Sequence, residues 1–291
     1  MISSDKNNNF LQNKTVNIGG NLLLIEKPLI MGILNITEDS FFDGGKYNTF
    51  DSAMQRAEQI INEGADIIDI GACSTRPGAK LIDKKEEISK LVPVVKAIRK
   101  QYPAAVISVD TVWGDAVRAV KDAGADIVND ISGGQFDTTM FDAVADTRMP
   151  YILMHTNATP DRMQQQIQYS DLFMDICKYF SERINLLKSK GVKDIILDLG
   201  FGFGKTIEQN YELLRRQKEF QVFNLPILTG ISHKSMIYKP LNLTPKDITA
   251  HTAFVHALAL ENGADILRVH DVKLTKQCLD IYNLYKPNTD K

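Results

Sequence analysis

Eight short apolar runs recur along the chain, and each gives way to a polar residue where a strand would pass into a loop. Pro28-Leu-Ile-Met-Gly-Ile-Leu34 runs into Asn35, and Ile67-Ile-Asp-Ile-Gly71 into Ser74-Thr-Arg76. Val106-Ile-Ser-Val109 ends at Asp110, Asp126-Ile-Val128 at Asn129-Asp130, and Tyr151-Ile-Leu-Met154 at His155. Ile195-Ile-Leu197 ends at Asp198, Leu225-Pro-Ile-Leu228 leads to His233-Lys234, and Ile266-Leu267 ends at Arg268-Val-His270. Parallel strands covered on both faces read as such continuous runs. Helical patterns alternate with them, at about 50–63, 84–101, 113–123, 138–147, 170–190, 208–219, 248–262 and 272–285. Eight strand–helix units closing on themselves form a single-domain α/β fold, the (β/α)8 TIM barrel, whose chemistry is built at the mouth formed by the C-terminal ends of the strands. The polar residues that end the runs are therefore the candidates for lining that mouth.

The segment Gly64-Ala-Asp-Ile recurs as Gly124-Ala-Asp-Ile and Gly263-Ala-Asp-Ile, each time between a helix and a strand. Gly suits the left-handed helix cap and Ala a tight joint before the next apolar run. Three copies of one joint argue for stacked repeats of one unit. At 291 residues the chain has the length of one barrel. Residues 1–12 read as a disordered tail, and 13–27 as a hairpin, with Gly19-Gly-Asn21 as its turn, that closes the barrel bottom. Residues 28–286 form the barrel and 287–291 a tail. The connections from Asn35 to about Thr49 and from Ala72 to about Asp83 are long, Gly-rich and suited to be lids, with hinges at Gly44-Gly45 and Gly78.

With 34 basic and 36 acidic residues the formal charge is -2, which argues against nucleic-acid and membrane-surface partners. No run has the length of a membrane span, and the polar N-terminus lacks the apolar core of a signal peptide, so a cytoplasmic protein is expected. Three scattered cysteines (Cys73, Cys177, Cys278) suggest reduced thiols.

Several chemistries drop out. His251 and His256 lie five apart on a helix and do not share a face, so no zinc pattern exists. No nucleophile-elbow motif suggests a Ser-His-Asp triad. The glycines of Asp198-Leu-Gly-Phe-Gly-Phe-Gly-Lys-Thr206 fail the phosphate-loop spacing, because Leu199 stands where Gly is required. They would let a loop hug a planar ligand, with Phe201 and Phe203 offering aromatic faces. Asp110, Asn129 and Asp198 suit a flat heterocycle with a ring of N–H donors and acceptors, although each could instead cap the helix that follows. Either Asn129 or Asp130 could cap the turn at Ile131-Ser-Gly-Gly134. Ser74-Thr-Arg76 and Arg268-Val-His270 are anion-site candidates, since an Arg fork matches phosphate oxygens. Lys234-Ser235 opens a helix, whose free N–H groups can receive an anion.

Taken together, these segments resemble the dihydropteroate synthase family of pterin-binding enzymes. The resemblance rests on Met31-Gly-Ile-Leu-Asn-Ile-Thr-Glu-Asp-Ser-Phe-Phe-Asp-Gly-Gly45, Ser74-Thr-Arg-Pro-Gly-Ala79, Ser108-Val-Asp-Thr111, Asn129-Asp-Ile-Ser-Gly133, Met154-His155, Gly200-Phe-Gly-Phe-Gly-Lys205, Lys234-Ser235 and Arg268-Val-His-Asp271. It implies condensation of 6-hydroxymethyl-7,8-dihydropterin diphosphate with 4-aminobenzoate, in a homodimer. It further implies that Asp110, Asn129, Asp198 and Lys234 hold the pterin, with Met154 and Phe203 shaping its slot. Asn35 would ligate Mg²⁺ on the diphosphate, whose oxygens Thr75, Arg76, Arg268 and His270 would contact. Ser235 would receive the aminobenzoate carboxylate, with Phe41, Pro77, Phe203 and the Lys234 stem flanking its ring. Asp198, Lys234, Asp110, Asp39 and Arg268 would carry the catalytic roles. The chain departs from the family pattern at Glu38, Cys73, Leu199 and His233, the last standing where Arg is usual. Alternatives are a pterin-binding methyltransferase acting with a corrinoid protein, and a catalytically silent pterin-binding paralogue.

Overall fold

In the computed structural model the described residues are 14–36, 49–72, 81–157 and 168–286. The tails expected at 1–12 and 287–291, and most of the two Gly-rich connections, lie outside the described residues. The hairpin is β1 (Lys14–Ile18) paired antiparallel with β2 (Asn21–Ile25). Eight parallel strands follow: β3 (Leu29–Asn35), β4 (Ile67–Gly71), β5 (Val106–Asp110), β6 (Ile127–Asp130), β7 (Tyr151–Met154), β8 (Ile195–Asp198), β9 (Ile227–Thr229) and β10 (Ile266–Val269). They close as a barrel in chain order, with β10 returning to β3. The helices between them are α1 (Thr49–Asn62), α2 (Lys84–Gln101), α3 (Gly114–Ala123), α4 (Met140–Thr147), α5 (Leu172–Ser189), α6 (Ile207–Arg216), a single turn α7 (Ser235–Tyr238), α8 (Thr249–Glu261) and α9 (Val272–Tyr285).

One element differs from expectation. The helix expected to reach residue 219 stops at Arg216 and tightens into a 3₁₀ segment, Gln217–Phe223. That turn seats Phe220 fully in the core, and it lets the buried Gln217 side chain accept from Thr229 Oγ1 and donate to the carbonyl of Ala259.

The repeated Gly-Ala-Asp-Ile joint does more than its glycine and alanine suggest. Gly64, Gly124 and Gly263 all take positive φ, at 90°, 105° and 81°, as left-handed caps. Each following Asp then grips the strand next door twice. Asp66 donates its N–H to the carbonyl of Ile30, while its carboxylate accepts the Ile30 N–H at 2.8 Å. Asp126 does the same with Ile107, and Asp265 with Ile227. Three of the eight strands therefore begin with their first amides satisfied by the same device.

The interior of the barrel is stratified because side chains alternate in and out with period two. At the bottom, Leu29, Met31, Ile67, Ile127, Ile152, Ile196, Leu228 and Ile266 form one apolar cluster, and Val16 and Ile25 of the hairpin belong to it. Asn17 N–H donates to Asp194 just before β8, and Lys14 pairs with Asp265 just before β10, so the hairpin plugs the N-terminal end of the strands. A larger apolar layer lies between strands and helices. Ile25→Ala should destabilise the protein by about 2 kcal/mol, the lower part of the range for buried Ile truncation, because the site is at the edge of its cluster. Urea denaturation gives the number, and an unchanged midpoint would mean that the hairpin is not part of the cooperative core.

Candidate active site

Two residues further up five of the eight strands the interior turns polar. Asp69, Ser108, Asn129, Asp198 and Arg268 each stand two positions beyond Ile67, Val106, Ile127, Ile196 and Ile266, so they share the inward face with those apolar residues. Asp69 is the hub of this layer. Its carboxylate accepts from Arg268 Nε at 2.6 Å, from Ser108 Oγ at 2.7 Å and from Asn129 Nδ2 at 3.0 Å. Arg268 Nη2 also donates to Asp110 Oδ2 at 2.8 Å. One guanidinium thus ties β10 to β4 and β5, and one carboxylate ties β4 to β5, β6 and β10. Sequence reasoning missed Asp69, which lies inside an apolar run and not at its end. The available signal was the run itself: a carboxylate on the inward face of a barrel strand needs a partner.

Around this layer the expected residues converge. Asn129 points inward to Asp69, whereas Asp130 pins the next turn, accepting from the N–H groups of Ser132 (2.7 Å) and Gly134 (2.8 Å) and from Tyr151 Oη (2.6 Å). Asp130 is therefore the capper and Asn129 faces the mouth. Asn35 ends β3 beside Gly71, and a Cβ built at Gly71 would lie 3.6 Å from Asn35 Oδ1 and 3.4 Å from Asp110 Cβ. Met154 and Phe203 form an apolar wall with Val112 and Ile131. Phe201, expected to offer an aromatic face, is instead fully buried in the outer core. His270 contacts Ser232 Oγ at 3.2 Å, and its carbonyl accepts from Arg56 on α1, a cation that sequence reasoning did not place here. Asp39, Phe41, Thr75, Arg76 and Pro77 lie outside the described residues.

The loop after β8 is shaped by its glycines. Gly200 has φ of 69°, and a Cβ there would come 2.0 Å from the carbonyl oxygen of His155, so only glycine fits. Gly202 has φ of 80° and lies under the Lys234 stem, 2.9 Å from its Cδ by the same construction. Lys234 in turn donates to the carbonyl of Phe201 and holds its ammonium 4.4 Å from the Phe203 ring centre. Ser235 opens α7, but α7 is a single turn, so an anion there would be held by free N–H groups more than by a summed helix dipole.

Charges are crowded and dry here. Burial, opposed by Arg268 and reinforced by Asp69, Glu87 and Asp130, pushes the Asp110 carboxyl up to about 8. Burial also raises Asp198, against the pull of Lys234 and of the Gly200 N–H, which donates at 2.8 Å. Lys234 is brought down to about 8, chiefly by burial, with Asp198 opposing. Such perturbed acids and bases facing one another at the C-terminal end of the strands make this the candidate site.

Residues 31–270 match the family described as pterin binding enzyme. A dihydropteroate synthase from Escherichia coli strain K12 is 41% identical over 264 residues, covering 90% of this chain and 93% of that protein. This chain belongs to the dihydropteroate synthase family. Its members are transferases. Among solved structures, the dihydropteroate synthase of Yersinia pestis, determined in complex with a sulfonamide drug, superposes with a TM-score of 0.88 at 38% identity over 93% of this chain and 98% of that one. The Xanthomonas albilineans dihydropteroate synthase with 4-aminobenzoic acid gives 0.88 at 34% identity over 94% of this chain and 98% of that one. The methyltransferase alternative loses its support, because these relatives are synthases.

Asp69→Asn should weaken the folded state by about 1.5–3 kcal/mol, the range for a hydrogen bond to a charged group. Arg268 and Asn129 share Oδ2 while Ser108 uses Oδ1, so an amide nitrogen in place of Oδ2 removes the acceptor of both Arg268 and Asn129 and leaves only Ser108 its own. A urea titration beside Ser108→Ala should rank the aspartate well above the serine; equal effects would remove Asp69 from the centre of the network.

Proposed function

We propose that this protein condenses 6-hydroxymethyl-7,8-dihydropterin diphosphate with 4-aminobenzoate, releasing diphosphate and forming 7,8-dihydropteroate. The observation that supports this most directly is the convergence of Asp110, Asn129, Asp198 and Lys234 on one mouth above a Met154–Phe203 wall. Two carboxylates and an amide oxygen accept from the amino and ring N–H groups of a pterin, while the Lys234 ammonium and the Asn129 amide donate to its acceptors. The apolar wall takes the flat face of the ring.

Diphosphate is a competent leaving group, and the pterin nitrogens spread positive charge from the departing methylene. Asp198 and Asp110 are the groups proposed to face that charge, and their preorganised carboxylates would favour a dissociative path. Arg268 and His270, with Thr75 and Arg76, would receive the charge growing on diphosphate. The neutral arylamine then attacks the methylene carbon and loses its extra proton. No strong base is needed before the C–O bond breaks. Ser235 and the first amides of α7 would hold the aminobenzoate carboxylate, with the Lys234 stem, Phe203, Phe41 and Pro77 against its ring. Asp39 belongs to the same proposed set.

The donor chemistry at the end of β3 fits Mg²⁺, which favours hard oxygens and is commonly held by one or two protein groups together with substrate phosphates. Asn35 Oδ1, on the mouth side near Asp110, is such an oxygen. When bound, the ion neutralises charge on the leaving diphosphate. A homodimer is part of the proposal too. Val255, Ala259 and Leu260 on α8 pack inward, yet Phe254 and Leu258 face outward at 67% and 37% exposure beside Leu241 and an apolar cavity of about 330 Å³. A helix apolar on both faces is built to be covered twice. No helix among the described residues is long and apolar enough to cross a membrane, and the proposed reaction joins small soluble metabolites, as a cytoplasmic enzyme would.

The deciding assay mixes the two substrates with Mg²⁺ and follows diphosphate release and dihydropteroate; no turnover would end the proposal. Asp198→Asn and Lys234→Ala should each cost about 1.5–3 kcal/mol of pterin affinity without unfolding the protein. Calorimetric titration that finds wild-type affinity in both would take this pocket out of the reaction. Lys234 donates only while protonated, so pterin affinity should fall as pH rises through about 8. Lys234→Arg, which stays charged, should abolish that fall; if both proteins decline together, another group titrates. For the dimer, Phe254→Lys should convert a two-chain mass to a one-chain mass in light scattering, and a monomeric parent protein would refute the interface.

A further inference from the structure

Lys205 closes the Gly-rich loop after β8, and the chemistry proposed above makes no use of it. It is 4% exposed, almost completely buried for a lysine, and it points away from solvent. Its ammonium donates to the carbonyl of Gly200 at 2.9 Å, to the carbonyl of Phe203 at 3.1 Å and to His155 Nδ1 at 3.1 Å. Those three acceptors saturate the three protons of an ammonium. Of these, Phe203 belongs to the proposed pterin wall, and His155 directly follows Met154, another member of it. Gly200 gives its N–H to Asp198 and its carbonyl to Lys205, so one glycine links the buried cation to the mouth carboxylate. Phe203, held through its carbonyl, carries the ring beneath the Lys234 ammonium.

We propose that Lys205 is a positioning residue for pterin binding, fixing the Gly200–Phe203 arch from behind and adding its positive charge to those of Lys234 and Arg268 that favour the Asp198 carboxylate. The inference rests on the proposed function. Its electrostatic half can be tested without any substrate.

The surroundings explain why a lysine serves here. Asp198 favours the charged ammonium, and Lys234, facing it from the loop after β9, disfavours it. His155, after β7, is held well below the usual imidazole range, first by burial and then by Lys205, so it stays neutral and accepts through Nδ1. The phenols of Tyr169 and Tyr179 complete the shell: Tyr179 stacks edge-on against His155, and Tyr169 donates to the carbonyl of Gly204. Asn210 of α6 holds the arch from the other side, accepting the Gly202 N–H and donating to the Lys205 carbonyl. Burial brings the Lys205 ammonium down to about 7, with Asp198 opposing, so its charge depends on the carboxylate it supports. Coupling of this kind is reciprocal: if Asp198 stabilises the ammonium, the ammonium stabilises the carboxylate by the same amount.

The first test uses lysine labelled with ¹³C at Cε. Lys205 should titrate near 7 in the wild type and at clearly lower pH in Asp198→Asn, which lacks the carboxylate charge. An unchanged midpoint overturns the proposal, and the measurement needs no turnover. The second test uses Lys205→Met, with folding checked by circular dichroism. Affinity for 6-hydroxymethyl-7,8-dihydropterin diphosphate should fall roughly tenfold or more, the equivalent of one charged hydrogen bond. The acid limit of binding should also move to higher pH, since Asp198 is then harder to ionise, and Lys205→Arg should restore part of both effects. A folded Lys205→Met protein with wild-type affinity and pH profile overturns the proposal. Should Lys205→Met not fold, the Asp198→Asn titration decides alone. Failure of the wild-type protein to bind pterin would instead refute the proposed function.

Discussion

The guanidinium of Arg268, held between Asp69 and Asp110 inside the barrel, is the contact on which the mouth depends. An arginine pointing into a barrel interior is costly unless its charge is matched, and here two carboxylates from two other strands match it. Asp69 is itself fully buried and satisfied from three strands at once. The network therefore fixes the relative heights of β4, β5, β6 and β10, and with them the places of Asn129 and Asp110. A hydrophobic layer could fill the same volume, but it could not present an oriented carboxylate and amide to a ligand above it.

The barrel then has three storeys with distinct tasks. The hairpin and the lowest ring of aliphatic side chains supply dry packing. The middle ring is ionic and orients. The upper ring, with Lys234, Phe203, Met154 and the loop after β8, is the one proposed to contact the ligand. The lower two storeys are one step of the period-two alternation apart, so a strand of four residues carries one side chain for each, and the upper storey is built largely from the loops that follow the strands. This economy explains how strands as short as Ile127–Asp130 serve stability and chemistry together.

Acidic groups outnumber basic ones in and around this network. Asp69, Asp110, Asp130, Asp198 and Glu87 are buried near three cations, Arg268, Lys234 and Lys205. Burial alone would neutralise carboxylates in such a setting, and the cations act against that tendency. A ligand that donates several N–H groups and develops positive charge as it reacts relieves the imbalance. The electrostatics would thus favour the cationic stage of the pterin ring in the proposed reaction over the uncharged ring, which is the direction catalysis requires.

The barrel was legible in the sequence because its two periodicities, apolar runs and amphipathic helices, are local properties of the chain, and the Gly-Ala-Asp-Ile joints repeat them. The strand-end residues Asp110, Asn129, Asp198 and Arg268 were legible for the same reason, since a strand's end is written in its composition. What a residue at such a point touches is another matter. Asp69 hides in a run that reads as core, and its partners Ser108, Asn129 and Arg268 lie 39, 60 and 199 positions away. Whether Asn129 or Asp130 caps the turn, whether Phe201 or Phe203 faces the mouth, and where Lys205 sends its ammonium all depend on strand register and on left-handed glycines in one loop. Local pattern determined which elements form and in what order. Barrel closure decided which distant charges meet, because ion pairs between strands exist only after the last strand has paired with the first.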